Sequence, residues 1–149
     1  MISNNFQIVV PFYNDEKSFD SFVEILNKMD IEENIFILLD NGSNNERIKT
    51  IAQKKSHYNW TFIRNEKNLG FGGGIKYASR FVEKDFVAWM PGNLKLNPSD
   101  VYEVLSKQNL NEKYLYIKCT RKDRPKIDHL KTKIFGIIAS LYFGKKIFD

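Results

Sequence analysis

The chain has 149 residues, of which 42% are hydrophobic and 28% charged, and it carries a formal net charge of +5. This composition is typical of a single folded domain and excludes a low-complexity or fibrous chain. A single cysteine, Cys119, excludes an internal disulfide framework, and no basic region followed by an apolar run opens the chain, so a reducing, cytoplasmic location is expected.

Short apolar runs alternate with helical patterns along the chain. Strands are expected at residues 6–12, 35–39, 60–63, 86–90 and 114–118. The intervening segments carry apolar residues at helical spacing, as in Phe19, Phe22, Val23 and Leu26. After the third strand, the glycine cluster at residues 70–74 is expected to lead into a helix that carries Ile75, Ala78 and Val82. This alternation predicts an α/β fold with a mainly parallel sheet flanked by helices.

Polar and turn-forming residues collect where three of these strands end, at residues 11–16, 40–43 and 91–95. Any one of these stretches alone is ordinary turn chemistry. In open α/β sheets, however, ligands bind at the carboxyl ends of the strands, where strand order reverses. Three such ends at one edge would form a polar floor for a nucleotide.

Four stretches, taken in order, resemble motifs of the family-two glycosyltransferases. They are IVVPFYNDE at residues 8–16, LDNGS at 39–43, NEKNLGFGGG at 65–74 and WMPGNLK at 89–95. The family motifs are V-V-I-P-x-Y-N-E, V-D-D-G-S, N-x-G-x-G-x-A and M-D-A-D-x-Q, and the resemblance runs from about Phe6 to Asp149. It implies a Rossmann-like GT-A fold with a C-terminal amphipathic helix, and transfer of a sugar from a nucleotide-diphosphate sugar with inversion.

The resemblance also implies which residues bind the nucleotide. Asp40 is expected to accept a hydrogen bond from the edge of the base, and Pro11 and Tyr13 to form the walls of the nucleoside pocket. The alternative role for Asp40 is a turn cap for the helix that follows. The other expected nucleotide-binding residues are Asn14, Glu16, Asn41, Asn68, Gly70 and Gly73.

The position of the family's Asp-x-Asp motif is altered. Those carboxylates hold Mg²⁺ or Mn²⁺, which prefer hard oxygen ligands, but here Pro91 and Asn93 replace them. Asn93 offers one neutral carbonyl oxygen, so metal binding is expected to be weak or absent. Lys95 could neutralise the leaving diphosphate in place of the metal, and Asn93 and Lys95 are the expected catalytic residues. The alternative is a decayed site with a solvated Lys95.

The tail is strongly basic, since residues 113–149 contain ten Lys or Arg and three Asp. Cys119-Thr120-Arg121 stands where the polyprenyl-phosphate branch of the family has G-S-R, and Phe148-Asp149 where it has R-D after an amphipathic helix. The tail resembles this branch, and the resemblance implies that Arg121, Arg124 and Lys131 bind the acceptor phosphate. Residues 134–148 are too short and too basic to span a bilayer, which needs about 20 apolar residues, but they suit a helix lying on an anionic membrane. The alternative is a helix packed on the sheet or on a partner chain, as in a homodimer.

Two regions are therefore expected, a nucleotide-sugar-binding domain at residues 1–125 and a basic amphipathic helix at 126–149 that begins an acceptor region. Enzymes of this branch continue past the point that corresponds to Asp149, so that region is expected to be incomplete. The rival hypothesis is a non-catalytic GT-A-like domain that binds nucleotide, membrane or a partner subunit. Nucleic-acid binding is not expected, because no recognised module is present.

Overall fold

A computed structural model of the protein describes residues 5–56, 59–108, 110, 117 and 126–144. The chain divides into two units, Met1–Glu112 and Lys113–Asp149. The strand expected at residues 114–118 lies outside the described residues, apart from Ile117.

Four parallel strands form the sheet of the first unit. They are β1 Phe6–Phe12, β2 Phe36–Asn41, β3 Trp60–Asn65 and β4 Phe86–Trp89, in the order β3-β2-β1-β4. All four carboxyl ends consequently lie at one edge of the sheet, and strand order reverses between β1 and β4. The predicted α/β fold with a parallel sheet is confirmed.

Helices cover both faces of this sheet. Phe19 and Phe22 of α1 (Glu16–Leu26), together with apolar residues of α2 (Arg47–Lys54) and α4 (Pro98–Ser106), pack on the face that carries Ile8 and Val10. Ala78 of α3 (Gly70–Ala78) packs on the other face. The alternation of side chains along a strand explains this division, because consecutive residues of β1 point to opposite layers.

We call the apolar cluster on the face of Ile8 and Val10 the larger core. It contains aromatic rings that pack edge to face at the end of β1. The Phe12 ring meets Phe19 edge to face at 4.9 Å between centroids and Phe22 at 5.5 Å. Such pairs contribute about 0.5–1.5 kcal/mol beyond their buried area. They fix helix α1 against the end of β1, which places the loop between them.

The sequence-based expectation for α3 was wrong at both ends. The glycine cluster does not precede the helix but forms its first turns, and Val82 lies beyond both the helix and a 3-10 turn at Ser79–Phe81. At the start of the helix, the Asn68 Oδ1 accepts a hydrogen bond from the Gly70 N–H at 2.8 Å. Gly74 is needed inside the helix, since a Cβ there would lie 2.9 Å from Asn41 Nδ2.

The second unit contains α5, Lys126–Phe143. Its exposed apolar side chains are Ile127, Leu130, Ile134, Phe135, Ile137, Ile138, Leu141 and Tyr142. Within the described part of the chain, no helix has the length and hydropathy that crossing a bilayer requires.

Gly42 forms the turn after β2 and is constrained in two ways. Its φ is +79°, and a Cβ would lie 2.3 Å from the carbonyl carbon of Lys67 and 2.5 Å from the Asn68 nitrogen. Both of these atoms belong to the backbone and cannot move aside locally. The turn after β2 therefore packs directly against the segment that leads into α3.

We expect Gly42→Ala to lower the free energy of unfolding by at least about 2 kcal/mol, because it combines left-handed strain with a backbone clash. Gly72→Ala is the matched control, since a Cβ at that helical position meets nothing within 4 Å. It should be neutral or stabilise the protein by up to about 1 kcal/mol. Urea denaturation with an unchanged m-value measures both effects. Equal midpoints for Gly42→Ala and wild type would contradict the observed packing.

Candidate functional site

Each of the four strands is followed by a residue with a left-handed backbone. These residues are Asn14, Gly42, Gly70 and Leu94, with φ values of 50°, 79°, 70° and 55°. Asn and Gly adopt this conformation readily, but for Leu it is strained. The Leu94 side chain packs against the larger core, which holds the strained turn in place. We call the four turns, residues 11–16, 40–46, 64–70 and 90–95, the carboxyl rim.

Hydrogen bonds join the first two turns of the carboxyl rim. The Asn14 N–H donates to Ser43 Oγ at 2.9 Å, and the Asn44 N–H donates to Asn14 Oδ1 at 2.8 Å. The Asn45 Nδ2 donates to Glu16 Oε1 at 2.7 Å. Asn14 and Glu16, both predicted to bind nucleotide, therefore tie the β1 turn to the β2 turn.

Asp40 lies at the end of β2 and is fully buried, with 0% exposure. Its Oδ1 accepts a hydrogen bond from the Ser43 N–H at 2.9 Å, which is the turn contact of the alternative interpretation. Its Oδ2 accepts no hydrogen bond from the described residues and lies 3.5 Å from Arg64 Nε. One carboxylate oxygen is thus used by the turn, and the other faces a cation.

Arg64 is a rim residue that the sequence analysis missed. Its guanidinium contacts the Asp40 carboxylate, donates to the Ser43 carbonyl at 3.2 Å and pairs with Glu46 Oε1 at 2.8 Å. The expected strand stopped at Ile63, but β3 continues and places Arg64 directly beside Asp40 in the parallel pairing. In the sequence, this role of Arg64 was indicated only by its position as a basic residue directly after the apolar run of the third strand.

Asn41 and Asn68 hold the start of α3. Asn41 is buried; its Nδ2 donates to the Gly70 carbonyl at 3.0 Å and to Asn68 Oδ1 at 3.2 Å, and its Oδ1 accepts from the Leu69 N–H at 3.3 Å. Both amides are therefore engaged by the chain itself. For the two glycines predicted to bind nucleotide, a Cβ at Gly70 would meet no atom within 4 Å, whereas a Cβ at Gly73 would lie 2.9 Å from Leu69 Cβ.

The β4 turn packs against the end of β1. A Cβ at Gly92 would lie 2.4 Å from Phe12 Cε1, so the turn rests on the Phe12 ring. Asn93 and Lys95 are both exposed, and Asn93 Oδ1 accepts a hydrogen bond from the Lys95 N–H at 3.2 Å. Since β1 lies between β2 and β4, the turns that carry Asp40 and Asn93 flank the same strand at the same edge.

The β4 turn does not fit a tightly bound divalent cation. Pro91 has no side-chain oxygen, and Asn93 offers a single neutral amide oxygen. Within the described ranges, no three His, Cys, Asp or Glu side chains are grouped closely enough to hold a metal ion.

The remaining predicted site residues are distributed as follows. Pro11 is partly buried at the end of β1, and the Tyr13 ring is 44% exposed on the rim. Arg121 and Arg124 lie outside the described residues. Lys131 lies on α5 and is exposed.

Residues 7–147 match the profile of the family described as Glycosyl transferase family 2. The chain belongs to this family. It is 24% identical over 154 residues to the uncharacterized protein MJ0544 of Methanocaldococcus jannaschii, an alignment that covers 94% of this chain and 64% of that protein. The chain thus spans about two-thirds of the length of this relative.

Two solved structures share the fold. The mannosyltransferase PcManGT from Pyrobaculum calidifontis, in complex with GDP-Man and Mn²⁺, has a TM-score of 0.51 at 14% identity, over 60% of this chain and 27% of its own. S. aureus TarS 1-349 has a TM-score of 0.52 at 23% identity, over 68% of this chain and 31% of its own. These similarities agree with the GT-A fold expected from the sequence motifs.

Glu16 has a pKa below the ordinary value of 4.5, chiefly because the Asn45 amide donates to its carboxylate. A hydrogen bond from its own backbone and the charge of Arg47 lower the pKa further, whereas burial and Asp15 oppose the shift. Because the pKa of Glu16 is lowered in the folded state, its hydrogen bond with Asn45 stabilises the fold at pH values above the pKa that Glu16 has in the unfolded chain. This stabilisation is lost as the pH falls through the folded-state value.

We expect Asn45→Ala to raise the pKa of Glu16 towards its ordinary value, because the largest cause of the shift is removed. Carbon-detected NMR titration of the carboxyl group measures the change. Asn44→Ala is the matched control, since the contact of Asn44 with the β1 turn uses its backbone N–H. An unchanged Glu16 titration in Asn45→Ala would show that the side-chain bond between the two turns does not persist in solution.

Proposed function

We propose that the carboxyl rim binds a nucleotide-diphosphate sugar, and that the chain is the donor-binding part of a glycosyltransferase that transfers the sugar with inversion. One observation carries this proposal: the four family motifs form four adjoining turns at the edge where strand order reverses between β1 and β4. Ligands of open α/β sheets bind at this edge. PcManGT, a structure of the same fold, holds GDP-Man.

In this proposal, Asp40 recognises the base. Its Oδ2 accepts no hydrogen bond from the described residues, and uracil and guanine both present N–H donors at their edges. Asp40 is fully buried, and Arg64 Nε lies 3.5 Å from its Oδ2 and holds the carboxylate in orientation. The exposed Tyr13 ring and Pro11 form the walls of the nucleoside pocket, while Asn14, Glu16, Asn41 and Asn68 keep the turns in position.

Lys95 supplies the positive charge for the leaving diphosphate. It is exposed on the β4 turn and lies beside Asn93, where family members carry the metal-binding carboxylates. A Lys ammonium can bind phosphate as a point charge. Since the β4 turn does not fit Mg²⁺ or Mn²⁺, we assign no step to a metal, although PcManGT contains Mn²⁺.

A second candidate function follows from that same turn. Replacement of both carboxylates by Pro91 and Asn93 favours a domain that binds nucleotide, membrane or a partner subunit without transferring a sugar. The two functions share the nucleotide site and differ in turnover. Release of nucleoside diphosphate from a nucleotide sugar in the presence of acceptor distinguishes them.

The proposed acceptor is a polyprenyl phosphate at the inner face of a membrane. Its phosphate is already anionic, so it needs positioning by cations rather than a strong general base. Arg121, Arg124 and Lys131 are the proposed cations. The exposed Ile134, Ile138 and Leu141 of α5 would contact the acyl region at the membrane surface.

We expect the protein to bind uridine or guanosine diphosphate, and Asp40→Asn to weaken this binding by about tenfold, because an amide N–H would then face the base donor. Calorimetry measures both affinities. Asp100→Asn, in the first turn of α4, is the matched control and should leave them unchanged. Equal affinities for wild type and Asp40→Asn would remove Asp40 from base recognition.

Addition of Mn²⁺ or Mg²⁺ to the same titrations should improve nucleotide affinity only slightly. The reason is that the β4 turn lacks carboxylates to share a metal with the diphosphate. A strict metal requirement would mean that other residues hold the ion and that Lys95 does not replace it.

We also expect the full chain to float with anionic liposomes at low salt and to be released at high salt, because each Lys or Arg near such a surface contributes about 1 kcal/mol. The double variant Ile138→Glu/Leu141→Glu should stay unbound, whereas the apolar control Ile138→Leu/Leu141→Met should float. If the wild-type chain fails to float at low salt, the membrane proposal is wrong. A homodimer detected by light scattering, and lost in the Glu variant, would then assign the apolar surface of α5 to a partner chain.

A further inference from the structure

The segment that joins β4 to α4 alternates between covered and exposed residues. Every second residue is buried or partly buried, and these residues are Met90, Gly92, Leu94, Leu96 and Pro98. The three polar residues that alternate with them are exposed, and these are Asn93, Lys95 and Asn97. The two leucines pack against the larger core. The segment is therefore held to the domain at regular intervals and presents its polar side chains outwards.

Both ends of this segment are fixed by separate contacts. At the start, Gly92 rests on the Phe12 ring, since a Cβ there would lie 2.4 Å from Phe12 Cε1. At the end, Asn97 caps α4, because its Oδ1 accepts a hydrogen bond from the Ser99 N–H at 3.0 Å. The residues between these ends are consequently constrained by β1 on one side and by α4 on the other.

Leu94 is the strained residue of the segment. Its φ of 55° lies in the left-handed region, which costs free energy for a residue with a side chain. Such strain persists only where the surrounding contacts compensate for it. The compensating contact is the packing of the Leu94 side chain against the larger core. Leucine at this position therefore acts as an apolar anchor for a backbone conformation that glycine or asparagine adopts more readily.

The placement of Lys95 follows from the conformation of Leu94. The Lys95 N–H donates to Asn93 Oδ1 at 3.2 Å, an asparagine turn that closes across Leu94. Because this hydrogen bond spans Leu94, a change of the Leu94 φ to the ordinary negative range would move the two partners apart. The exposed Lys95 side chain can rotate, but the backbone position from which its ammonium group extends is fixed.

We infer that Leu94 is a positioning residue, which fixes the point on the carboxyl rim from which Lys95 reaches a diphosphate. The inference rests on the proposed function, because the diphosphate is the ligand assigned there to Lys95. Leu94 acts through Lys95 and not by contact with the ligand, since its own side chain packs on the core. A charge held in place before binding loses less conformational freedom when the ligand arrives.

NMR relaxation of the ¹⁵N-labelled full chain tests the anchor without a ligand. In the wild type, the amides of residues 92–96 should have order parameters of about 0.85, as in rigid backbone. Leu94→Gly still permits the left-handed φ but removes the anchoring side chain, so the values should fall below about 0.6. Leu94→Met keeps an apolar side chain of similar volume and should retain the wild-type values. Low values in the wild type, or unchanged values in Leu94→Gly, would overturn the inference.

Calorimetry with uridine and guanosine diphosphate tests the consequence for binding. Lys95→Ala and Leu94→Gly should each raise Kd by about tenfold, because a charge-assisted phosphate contact is lost or loses its fixed position. Leu94→Met should bind as the wild type does. The double variant Leu94→Gly/Lys95→Ala should bind no more weakly than either single variant, since both changes remove the same interaction. Additive losses would show that Leu94 does not act through Lys95.

Leu105→Ala is the matched control for lost packing. Leu105 lies on α4 and is partly buried against the same larger core, outside the carboxyl rim. Like Leu94→Gly, this variant should lower the midpoint of urea denaturation, but it should leave Kd and the order parameters of residues 92–96 unchanged. An equal rise of Kd in Leu105→Ala would reduce the role of Leu94 to stability and contradict the inference.

Failure of this inference differs from failure of the proposed function. If Lys95→Ala weakens binding and Leu94→Gly does not, the positioning role is wrong and the donor site stands. If the wild type binds neither diphosphate, or if Lys95→Ala binds as tightly as the wild type, the diphosphate contact of the donor site is wrong. The positioning role of Leu94 then fails together with that contact.

Discussion

The end of β2 is the point on which the carboxyl rim depends. Asp40 and Asn41 are buried polar residues that end the most fully buried strand of the sheet. Buried polar groups are costly unless they find hydrogen-bonding partners. These two find them in the neighbouring turns: Asp40 contacts Ser43 and Arg64, and Asn41 contacts the segment at residues 68–70. The need to satisfy two side chains thereby fixes the β2 turn, the end of β3 and the start of α3 relative to one another.

Much of the fold was predictable from the sequence, because burial on both faces requires unbroken apolar runs. Residues 6–12 were predicted with the observed bounds, and the parallel sheet followed from the helical segments between the strands. The strand ends were less accurate. Apolar periodicity ends at Leu39 and Ile63, whereas β2 and β3 continue through polar residues that pair with each other across the two strands. Hydropathy alone does not predict this pairing of polar residues between β2 and β3.

The candidate site was predictable as a location but less so in its individual contacts. Parallel strands bring their carboxyl ends to one edge, so polar residues at three strand ends indicated where a ligand would bind. Which residues contact one another depends on the register. Arg64 was missed for this reason, and so was the use of Asn41 and Asn68 to hold α3. Several residues that the family motifs mark therefore shape the rim through contacts within the chain, whereas Tyr13 and Lys95 have exposed side chains.

The contact between Gly92 and Phe12 links two of the family motifs. A methyl group at position 92 would overlap the Phe12 ring, which in turn packs on Phe19 and Phe22. The middle position of the family's M-D-A-D motif, which carries alanine, is here compatible only with glycine so long as phenylalanine occupies the variable position of the first motif. Substitutions at these two positions should consequently be correlated among homologous sequences. Alanine at position 92 would require a smaller side chain at position 12, so the first and fourth motifs limit each other's side-chain volume.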